Sequence, residues 1–218
     1  GVVDQRQRFE VKATNLHPVE GRVGPEQRSS VNGHNGGVLW FTGLPSSGKT
    51  TLALELEQLL FAKGYQVFVL DGDNIRGRLN ADLGFGSGDR SENIRRVSEV
   101  ASLFADAGII VISAFISPFH DDRERARAAI GDRFHCIYIE ADPATCEMRD
   151  PNGLWKKARQ GEIRDFTGVD SRYEVPRNPD LVINTSTLSI EECANQLLDY
   201  VEEELVTPDS VRSDNRAN

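Results

Sequence analysis

The sequence lacks the features that mark membrane, secreted and zinc-binding proteins. No apolar run approaches the roughly 20 residues of a membrane-spanning helix, and no apolar signal region opens the chain. The three cysteines, Cys136, Cys146 and Cys193, are odd in number and show no C-x-x-C spacing. This pattern argues against a disulfide framework or a zinc site and favours three buried thiols. We therefore expect a cytoplasmic protein with no membrane partner.

Positive charge is also scarce. The 25 lysines and arginines are outnumbered by 34 acidic residues, which gives a net charge of −9. A chain this acidic is a poor candidate for binding nucleic acid through its phosphate backbone. The histidines are scattered, and neither the N-K-x-D signature of guanine-binding proteins nor the H-R-D and D-F-G motifs of protein kinases occur. Local clusters of arginine can still form a pocket for a small anion.

What the sequence does contain is a phosphate-binding loop. The apolar run VLWF at 38–41 ends before GLPSSGKT at 43–50, which fits the pattern G-x-x-x-x-G-K-S/T, and leucines then recur at helical spacing. In this strand–loop–helix context, glycines let backbone N–H groups converge on phosphate oxygens, while Lys49 reaches the β- and γ-phosphates and Thr50 ligates Mg²⁺. The residues predicted to bind this nucleoside triphosphate are Gly43, Ser46, Ser47, Gly48, Lys49, Thr50 and Thr51.

Strands and helices alternate along the chain with short connections. This order predicts an α/β fold in which a parallel sheet is flanked by helices on both faces. We expect strands at 38–42, 67–70, 109–115, 134–139 and 181–184, and helices at 49–63, about 92–107, 121–130 and 190–205. No helical or strand period persists in residues 1–36, which are predicted to be an extension or linker. The folded domain spans 37–205, and 206–218 are predicted to be a disordered tail.

Polar clusters follow three of the predicted strands. The phosphate loop follows the first strand, Asp71 and Asp73 follow the second, and Ser117 follows the third. Ligands of parallel sheets bind at the carboxyl ends of the strands, so these clusters are expected to converge. A carboxylate at this place holds Mg²⁺, partly through water, or accepts a proton from an attacking hydroxyl.

Two further groups are rich in basic residues. Arg76 and Arg90 flank the loop around Phe85, and their forked guanidinium groups suit phosphate or sulfate while the ring suits stacking on a base. This pattern predicts a site for a second substrate. A later group, Lys156, Lys157 and Arg159, fits either a mobile lid over the γ-phosphate or a plain surface helix.

Three long stretches together resemble the adenylylsulfate kinase family. They are LDGDNIRGRLNADLGF at 70–85, DRSENIRRVSEVASLFADAGIIVISAFISPF at 89–119 and RDPNGLWKKARQGEIRDFTGVDSRYEVPRNPDLVINT at 149–185. The resemblance covers about residues 37–205. It implies a P-loop kinase fold with a mobile lid, a homodimer, and Mg²⁺-dependent transfer of the ATP γ-phosphate to the 3′-hydroxyl of adenosine 5′-phosphosulfate.

The resemblance also implies a role for individual residues. Lys49, Asp73 and Ser117 would be catalytic, with Ser117 a pocket residue and not an obligatory covalent intermediate. Mg²⁺ would lie near Thr50, Asp71 and Asp73. The sulfonucleotide would contact Asp73, Arg76, Phe85, Arg90, Asn93, Ile116, Ser117 and Phe166, with its adenine between the two phenylalanine rings. The lid would carry Lys156, Lys157 and Arg159.

The chain departs from the family pattern at three places. The loop usually reads G-L-S-G-S-G-K, and here Pro45 removes one N–H donor while Ser46 replaces a glycine. Asn152 replaces a lysine of R-D-P-K-G-L-Y, and Asp165 places a carboxylate in the segment that usually reads K-G-F-T-G. Both changes are expected to weaken the binding of an anionic ligand.

Two other functions stay open at this point. One is a non-catalytic, kinase-like domain of an ATP sulfurylase that senses the product; a sequence that begins without Met would fit a fragment of such a fusion. The other is a kinase of another small metabolite, such as a nucleoside or a sugar. The retained Lys49 and Thr50 argue against the first, and the series from D-G-D-N to F-T-G argues against the second.

Overall fold

Five parallel strands form the centre of the molecule. The computed structural model describes residue 17 and residues 21–206. The strands are β1 (Gly37–Thr42), β2 (Val67–Asp71), β3 (Ile110–Ala114), β4 (Phe134–Glu140) and β5 (Leu181–Asn184). They lie in the order β2-β3-β1-β4-β5, and all four pairings are parallel. The predicted parallel sheet is confirmed, and every predicted strand lies within two residues of an observed one.

Helices cover both faces of this sheet. They are α1 (Pro25–Asn32), α2 (Lys49–Ala62), α3 (Gly72–Arg76), α4 (Ser87–Asp106), α5 (His120–Ile130), α6 (Pro143–Arg149), α7 (Leu154–Arg159) and α8 (Ile190–Glu204). The prediction for α4 began too late, near Glu92. Because Ser87 follows the extended residue Gly86 and Asp89 lies in the first turn, the helix begins at Ser87 despite its glycine.

Strand β1 is buried on both faces, which explains its continuous apolar sequence. Leu39 and Phe41 lie in a core cluster with α2 and α8. Val38 and Trp40 lie in a second cluster with α4 and α5 on the other face. All six residues of β1 are buried, so the loop that follows it starts from a rigid base.

A third, smaller cluster lies beyond the carboxyl ends of the strands. It joins Leu44 of the phosphate loop to Trp155 and Ala158 of α7, and to Phe166 in the segment that follows. Cys146 is also part of this cluster, and all three cysteines are free and buried as predicted. This cluster therefore connects two regions that are far apart in sequence and that both flank the predicted site.

The segment before β1 is more ordered than the sequence predicts. Helix α1 begins at Pro25, a favoured first helical residue, and ends at Gly33, which has a φ of 76°. The Asn32 amide donates to the carbonyl of Gly108 over 2.9 Å, and His34 pairs with Val206 in an antiparallel bridge. This helix forms although no helical period persists in its sequence, because docking onto the domain stabilises a helix that has no apolar stripe.

The structure does not describe most of the two predicted terminal segments, the N-terminal extension and the C-terminal tail. Residues 1–16, 18–20 and 207–218 lie outside the described residues, so the extension and the disordered tail stay predictions. Within residues 21–206, none of the helices is both long and apolar enough to cross a bilayer.

The packing at Gly36 gives a test of this docked segment. A Cβ atom at Gly36 would lie 2.1 Å from the carbonyl oxygen of Ala105, so Gly36→Ala is expected to lower the free energy of unfolding by about 2 kcal/mol. Urea unfolding followed by circular dichroism measures the change. Gly88→Ala is the matched control, since nothing lies within 4 Å of its Cβ. Equal stability of the two variants would contradict the packing described.

Candidate functional site

A cavity of about 620 Å³ opens at the carboxyl ends of β1, β2 and β3, where ligands of parallel sheets bind. Its size is that of a typical small-molecule site. The strand ends bring together residues as far apart in sequence as Ser46 and Ser117. The predicted site residues that line it are Ser46, Gly48, Lys49, Thr50, Thr51, Asp71, Asp73, Arg76, Phe85, Arg90, Asn93, Ile116 and Ser117.

The phosphate loop depends on two glycines. A side chain at Gly43 would bring its Cβ to 2.4 Å from the carbonyl oxygen of Ile139, so only glycine fits there. Gly48 has a φ of 97° and is the residue that precedes α2, a backbone conformation that glycine adopts without strain. The loop therefore ends with the positive end of the α2 dipole directed toward the cavity.

Lys49 is buried within this loop. Its Nζ donates to the carbonyl oxygens of Gly43, over 3.0 Å, and Leu44, over 2.6 Å. Burial lowers the pKa of Lys49 to about 8, although attraction to Cys146 and Asp71 opposes this shift. An ammonium held by neutral carbonyls in a desolvated place gains much from an anion, so the loop is electrostatically prepared for phosphate.

The structure shows the surroundings of the two departures in the loop. Pro45 has no N–H, but its carbonyl oxygen accepts a hydrogen bond of 3.2 Å from Nε1 of Trp155. Ser46 has a φ of 62°, in the left-handed region that favours glycine and costs other residues about 1 kcal/mol. This conformation explains why a glycine is usual there. The loop is thus held from outside at Pro45 and strained at Ser46.

The residues predicted to hold Mg²⁺ lie together beside the loop. The Thr50 hydroxyl donates to Oδ2 of Asp71 over 2.8 Å, and Oδ1 of Asp71 accepts from the backbone N–H of Asp73 over 3.0 Å. Hydroxyl and carboxylate oxygens fit Mg²⁺, which keeps several waters and takes one or two carboxylates. Residues 21–206 contain no cluster of three or more His, Cys, Asp or Glu arranged for a metal ion.

Two arginines form the far wall of the cavity. Arg76 donates to the carbonyl of Gly84 over 2.8 Å and lies over the ring of Phe85, 4.4 Å from its centroid. Arg90 donates to the carbonyl of Phe85 and to the Thr167 hydroxyl, each over 2.8 Å. Burial, and then the charge of Arg76, lower the pKa of Arg90. Two guanidinium groups that repel each other across one pocket are suited to an anion between them.

Ser117 is fixed in an unusual backbone conformation at the end of β3. Its φ is 36°, its hydroxyl oxygen accepts from Nε1 of Trp40 over 3.1 Å, and its carbonyl accepts from Nη1 of buried Arg123 over 2.6 Å. The neighbouring Ile116 carbonyl accepts from the hydroxyl of Thr42 over 2.7 Å. These contacts hold Ile116 and Ser117 as a rigid wall of the cavity.

Asn93 forms another part of this wall. The side chain is buried, and its Oδ1 accepts a hydrogen bond of 2.8 Å from Nδ2 of Asn80, which is also buried. By contrast, Arg95 pairs with Glu92 on the exposed surface of α4. The long α4 thus separates residues that face the cavity from residues that face solvent.

Some predicted site residues do not line this cavity. Gly43 and Ser47 belong to the phosphate loop but do not face the cavity, and Ser47 is fully buried. Phe166 is buried against Trp155, with ring centroids 5.4 Å apart, whereas Phe85 is 65% exposed. The predicted pair of rings around an adenine stays a prediction.

The basic residues of α7 also lie outside the cavity. Lys156 and Lys157 are exposed, and the Arg159 guanidinium pairs with Glu147 of α6. Asn152 lines the cavity, but Asp165 is exposed with a φ of 58°. The replacement of lysine by Asn152 therefore changes the charge within the cavity lining. The lid and the effect of Asp165 stay predictions.

Sequence reasoning missed several residues that support the site. Arg149 lines the cavity and donates to the Thr185 hydroxyl over 3.0 Å. That hydroxyl in turn donates to the carbonyl of Ser47 in the phosphate loop over 2.9 Å. Trp40, Arg123 and Trp155 are likewise buried partners of site residues. Arg149 and Trp155 carried a signal, since they stand at the first and last positions of the R-D-P-K-G-L-Y pattern, where Trp155 replaces a tyrosine.

Comparison with known proteins gives a consistent assignment. The family model described as adenylylsulphate kinase matches residues 35–184. The adenylyl-sulfate kinase of Clostridium kluyveri is 51% identical over 191 residues, which cover 88% of this chain and 96% of that protein. The adenylyl-sulfate kinase of Bacillus licheniformis is 53% identical over 186 residues, covering 85% and 94%.

A solved structure shares the fold as well as the sequence. The Mycobacterium tuberculosis APS kinase CysC, in complex with AMPPNP and APS, superposes with a TM-score of 0.75 at 47% identity, covering 77% of this chain and 98% of that one. Family match, identity and superposition all extend over the domain that carries the cavity. The chain belongs to the adenylylsulphate kinase family.

Proposed function

We propose that this chain transfers the γ-phosphate of ATP to the 3′-hydroxyl of adenosine 5′-phosphosulfate (APS), giving 3′-phosphoadenosine 5′-phosphosulfate and ADP. One observation carries the proposal: a single cavity joins the phosphate loop around Lys49 to the pocket walled by Arg76 and Arg90. A donor triphosphate and an anionic acceptor can therefore meet without an intervening barrier. Phosphoryl transfer requires little beyond this positioning and stabilisation of charge.

The donor half is the phosphate loop and the start of α2. Backbone N–H groups of the loop and the dipole of α2 bind the β- and γ-phosphates. Lys49 leaves the carbonyls of Gly43 and Leu44 and pairs with phosphate oxygens, which stabilise its charged form and raise its pKa. As the bond between the γ-phosphorus and the bridging oxygen of ADP breaks, this ammonium stabilises the charge that develops.

Thr50 and Asp71 are the residues that would hold Mg²⁺. The ion would neutralise charge on the β- and γ-phosphate oxygens when bound. Because the hydroxyl of Thr50 already lies at 2.8 Å from Asp71, the two oxygen ligands need little rearrangement. Asp73 is the third residue of the predicted Mg²⁺ site, and it also acts on the acceptor.

The acceptor half is built by α3, α4 and the end of β3. Arg76 and Arg90 bind the phosphosulfate group, Phe85 stacks on the base, and Asn93 with Ile116 and Ser117 completes the wall. Asp73 orients the 3′-hydroxyl and takes its proton as the oxygen attacks the γ-phosphorus. Phe166 completes the aromatic sandwich, and Lys156, Lys157 and Arg159 approach the phosphates if α7 closes as a lid.

The wider setting follows the same resemblance. We expect a homodimer in the cytoplasm, and a fused or associated ATP sulfurylase as a further partner. The competing function, a non-catalytic domain that senses the product, is disfavoured by the intact contacts of Lys49 and Thr50. A sensor has no need of a lysine poised for a γ-phosphate.

The first test is an assay of acceptor choice. ADP release from Mg-ATP is measured with APS, adenosine, AMP and gluconate as acceptors. We expect turnover with APS alone, and a loss of several orders of magnitude in Lys49→Ala. Tight binding of 3′-phosphoadenosine 5′-phosphosulfate without any turnover would favour the sensor. Turnover with adenosine or gluconate would assign a different acceptor.

A second test uses the lowered pKa of Lys49. Below pH 8 the ammonium is charged with or without nucleotide, so the affinity for AMPPNP is expected to change little. Above pH 8, Lys49 of the free protein loses its proton, whereas Lys49 beside a bound phosphate keeps it. The Kd of AMPPNP is therefore expected to rise by up to about tenfold per pH unit. Calorimetry at pH 8.5 in buffers of different ionisation enthalpy measures the accompanying proton uptake.

Lys49→Arg is the matched control for this pH dependence, because a guanidinium stays charged over the whole range. The rise in Kd and the proton uptake are both expected to disappear in that variant. The same proton uptake in Lys49→Arg would place the titrating group elsewhere.

A third test separates the two aspartates. Asp73→Asn is expected to lower kcat by about 100-fold or more while AMPPNP affinity stays within twofold, because its carboxylate acts on the acceptor hydroxyl. Asp71→Asn is the comparison and is expected to weaken Mg-ATP binding. If Asp73→Asn instead abolished nucleotide binding and left kcat unchanged, its proposed role would be wrong.

A further inference from the structure

Trp155 of α7 connects the phosphate loop to the acceptor side of the cavity. The side chain is 1% exposed, although it belongs to a helix of six residues on the outside of the domain. Its Nε1 donates to the Pro45 carbonyl over 3.2 Å, and its ring packs edge-to-face on Phe166 at 5.4 Å between centroids. One side chain therefore contacts both halves of the proposed site.

The ring occupies a space that a glycine leaves for it. A Cβ at Gly168 would lie 2.7 Å from Cη2 of Trp155 and 3.2 Å from Cδ2 of Leu44. Leu44 belongs to the phosphate loop, and Gly168 has a φ of 96°. The indole is thus clamped between the loop and the 166–168 segment, and a movement of either must displace it.

The same segment is tied to the acceptor pocket. Thr167, between Phe166 and Gly168, is 1% exposed and accepts a hydrogen bond of 2.8 Å from Nη1 of Arg90. Continuous contacts therefore run from Pro45 through Trp155 and the 166–168 segment to Arg90. Packed contacts of this kind carry coupling when both ends bind ligands.

We propose that Trp155 is a positioning residue that couples nucleotide binding at the phosphate loop to acceptor binding at the arginine pocket. The proposal rests on the proposed function only for the identity of the acceptor. The hydrogen bond from Trp155 to the Pro45 carbonyl fixes this part of the loop from outside. Ordering of the loop by nucleotide then orders Arg90 through the indole, and acceptor binding orders the loop in return, as reciprocity requires.

The chain provides a matched pair of variants. It has two tryptophans, and each indole N–H serves one half of the site: Trp155 donates to Pro45 and Trp40 donates to Ser117 over 3.1 Å. Substitution by phenylalanine removes one N–H from either place and keeps an aromatic ring. A general loss of stability would affect ligand binding alike in both variants. The proposal instead predicts weaker AMPPNP binding in Trp155→Phe and weaker APS binding in Trp40→Phe.

The experiment measures the Kd of AMPPNP and of APS, each alone and with the other ligand saturating. Trp155→Phe is expected to weaken AMPPNP binding about fivefold, the effect of one hydrogen bond, and to move the coupling factor toward one. Trp40→Phe is expected to weaken APS binding and to leave the Kd of AMPPNP alone within twofold. Thermal unfolding of both variants shows that the domain is folded.

Fluorescence gives a second measurement that needs no change at Trp155. In Trp40→Phe, Trp155 is the sole tryptophan, and its emission is expected to change when AMPPNP binds and again when APS binds. The proposal would be overturned if the emission stayed unchanged with both ligands bound. It would also be overturned if Trp155→Phe kept both affinities and the coupling factor of the wild type. Failure of the function shows separately, as absence of ADP release with APS in the unaltered protein.

Discussion

The contact of Lys49 with the carbonyls of its own loop is the interaction on which the rest of the site depends. An ammonium buried beside neutral oxygens, with a pKa lowered to about 8, is costly until an anion replaces them. The surrounding structure holds the loop in this arrangement. Strand β1 is buried on both faces, Gly43 packs on β4, and Ser46 has a strained positive φ. The parallel sheet then sets the other strand ends, with their carboxylate and arginine residues, around the same point.

The fold and most of the cavity were predictable because the relevant signals are local. A strand buried on both faces reads as a run of apolar residues, and the polar residue that follows it must lie at the shared edge of the sheet. This reasoning placed Lys49, Asp71, Asp73 and Ser117 correctly in one cavity. Helix α1 escaped prediction because its sequence, PEQRSSVN, has no apolar stripe, and contacts such as that of Asn32 with Gly108 stabilise it.

The residues that support the site, such as Trp155 and Trp40, were not predictable because their contacts are not local in sequence. Trp155 and Pro45 are 110 residues apart, and Trp40 and Ser117 are 77 apart, so no local pattern reveals that either pair meets. The departures from the family pattern gain a physical meaning only through these contacts. Pro45 lacks an N–H donor, and its carbonyl is held by an indole N–H. Asp165 stands at the first glycine of K-G-F-T-G, where its φ of 58° lies in the left-handed region that favours glycine, and its carboxylate does not line the cavity. The proposed function and the coupling through Trp155 are thus two aspects of one geometry.

The central claim is that ATP and the acceptor lie together in one cavity and that the phosphoryl group passes directly between them. We propose that Ser117, whose hydroxyl oxygen accepts a hydrogen bond from Trp40, forms part of the cavity wall and carries no phosphate. The most direct test is the stereochemistry at phosphorus, measured with ATP whose γ-phosphate is chiral through oxygen isotopes. A single in-line transfer predicts inversion of configuration in the 3′-phosphorylated product. Retention would require two successive transfers through a covalent phosphoenzyme and would contradict the account.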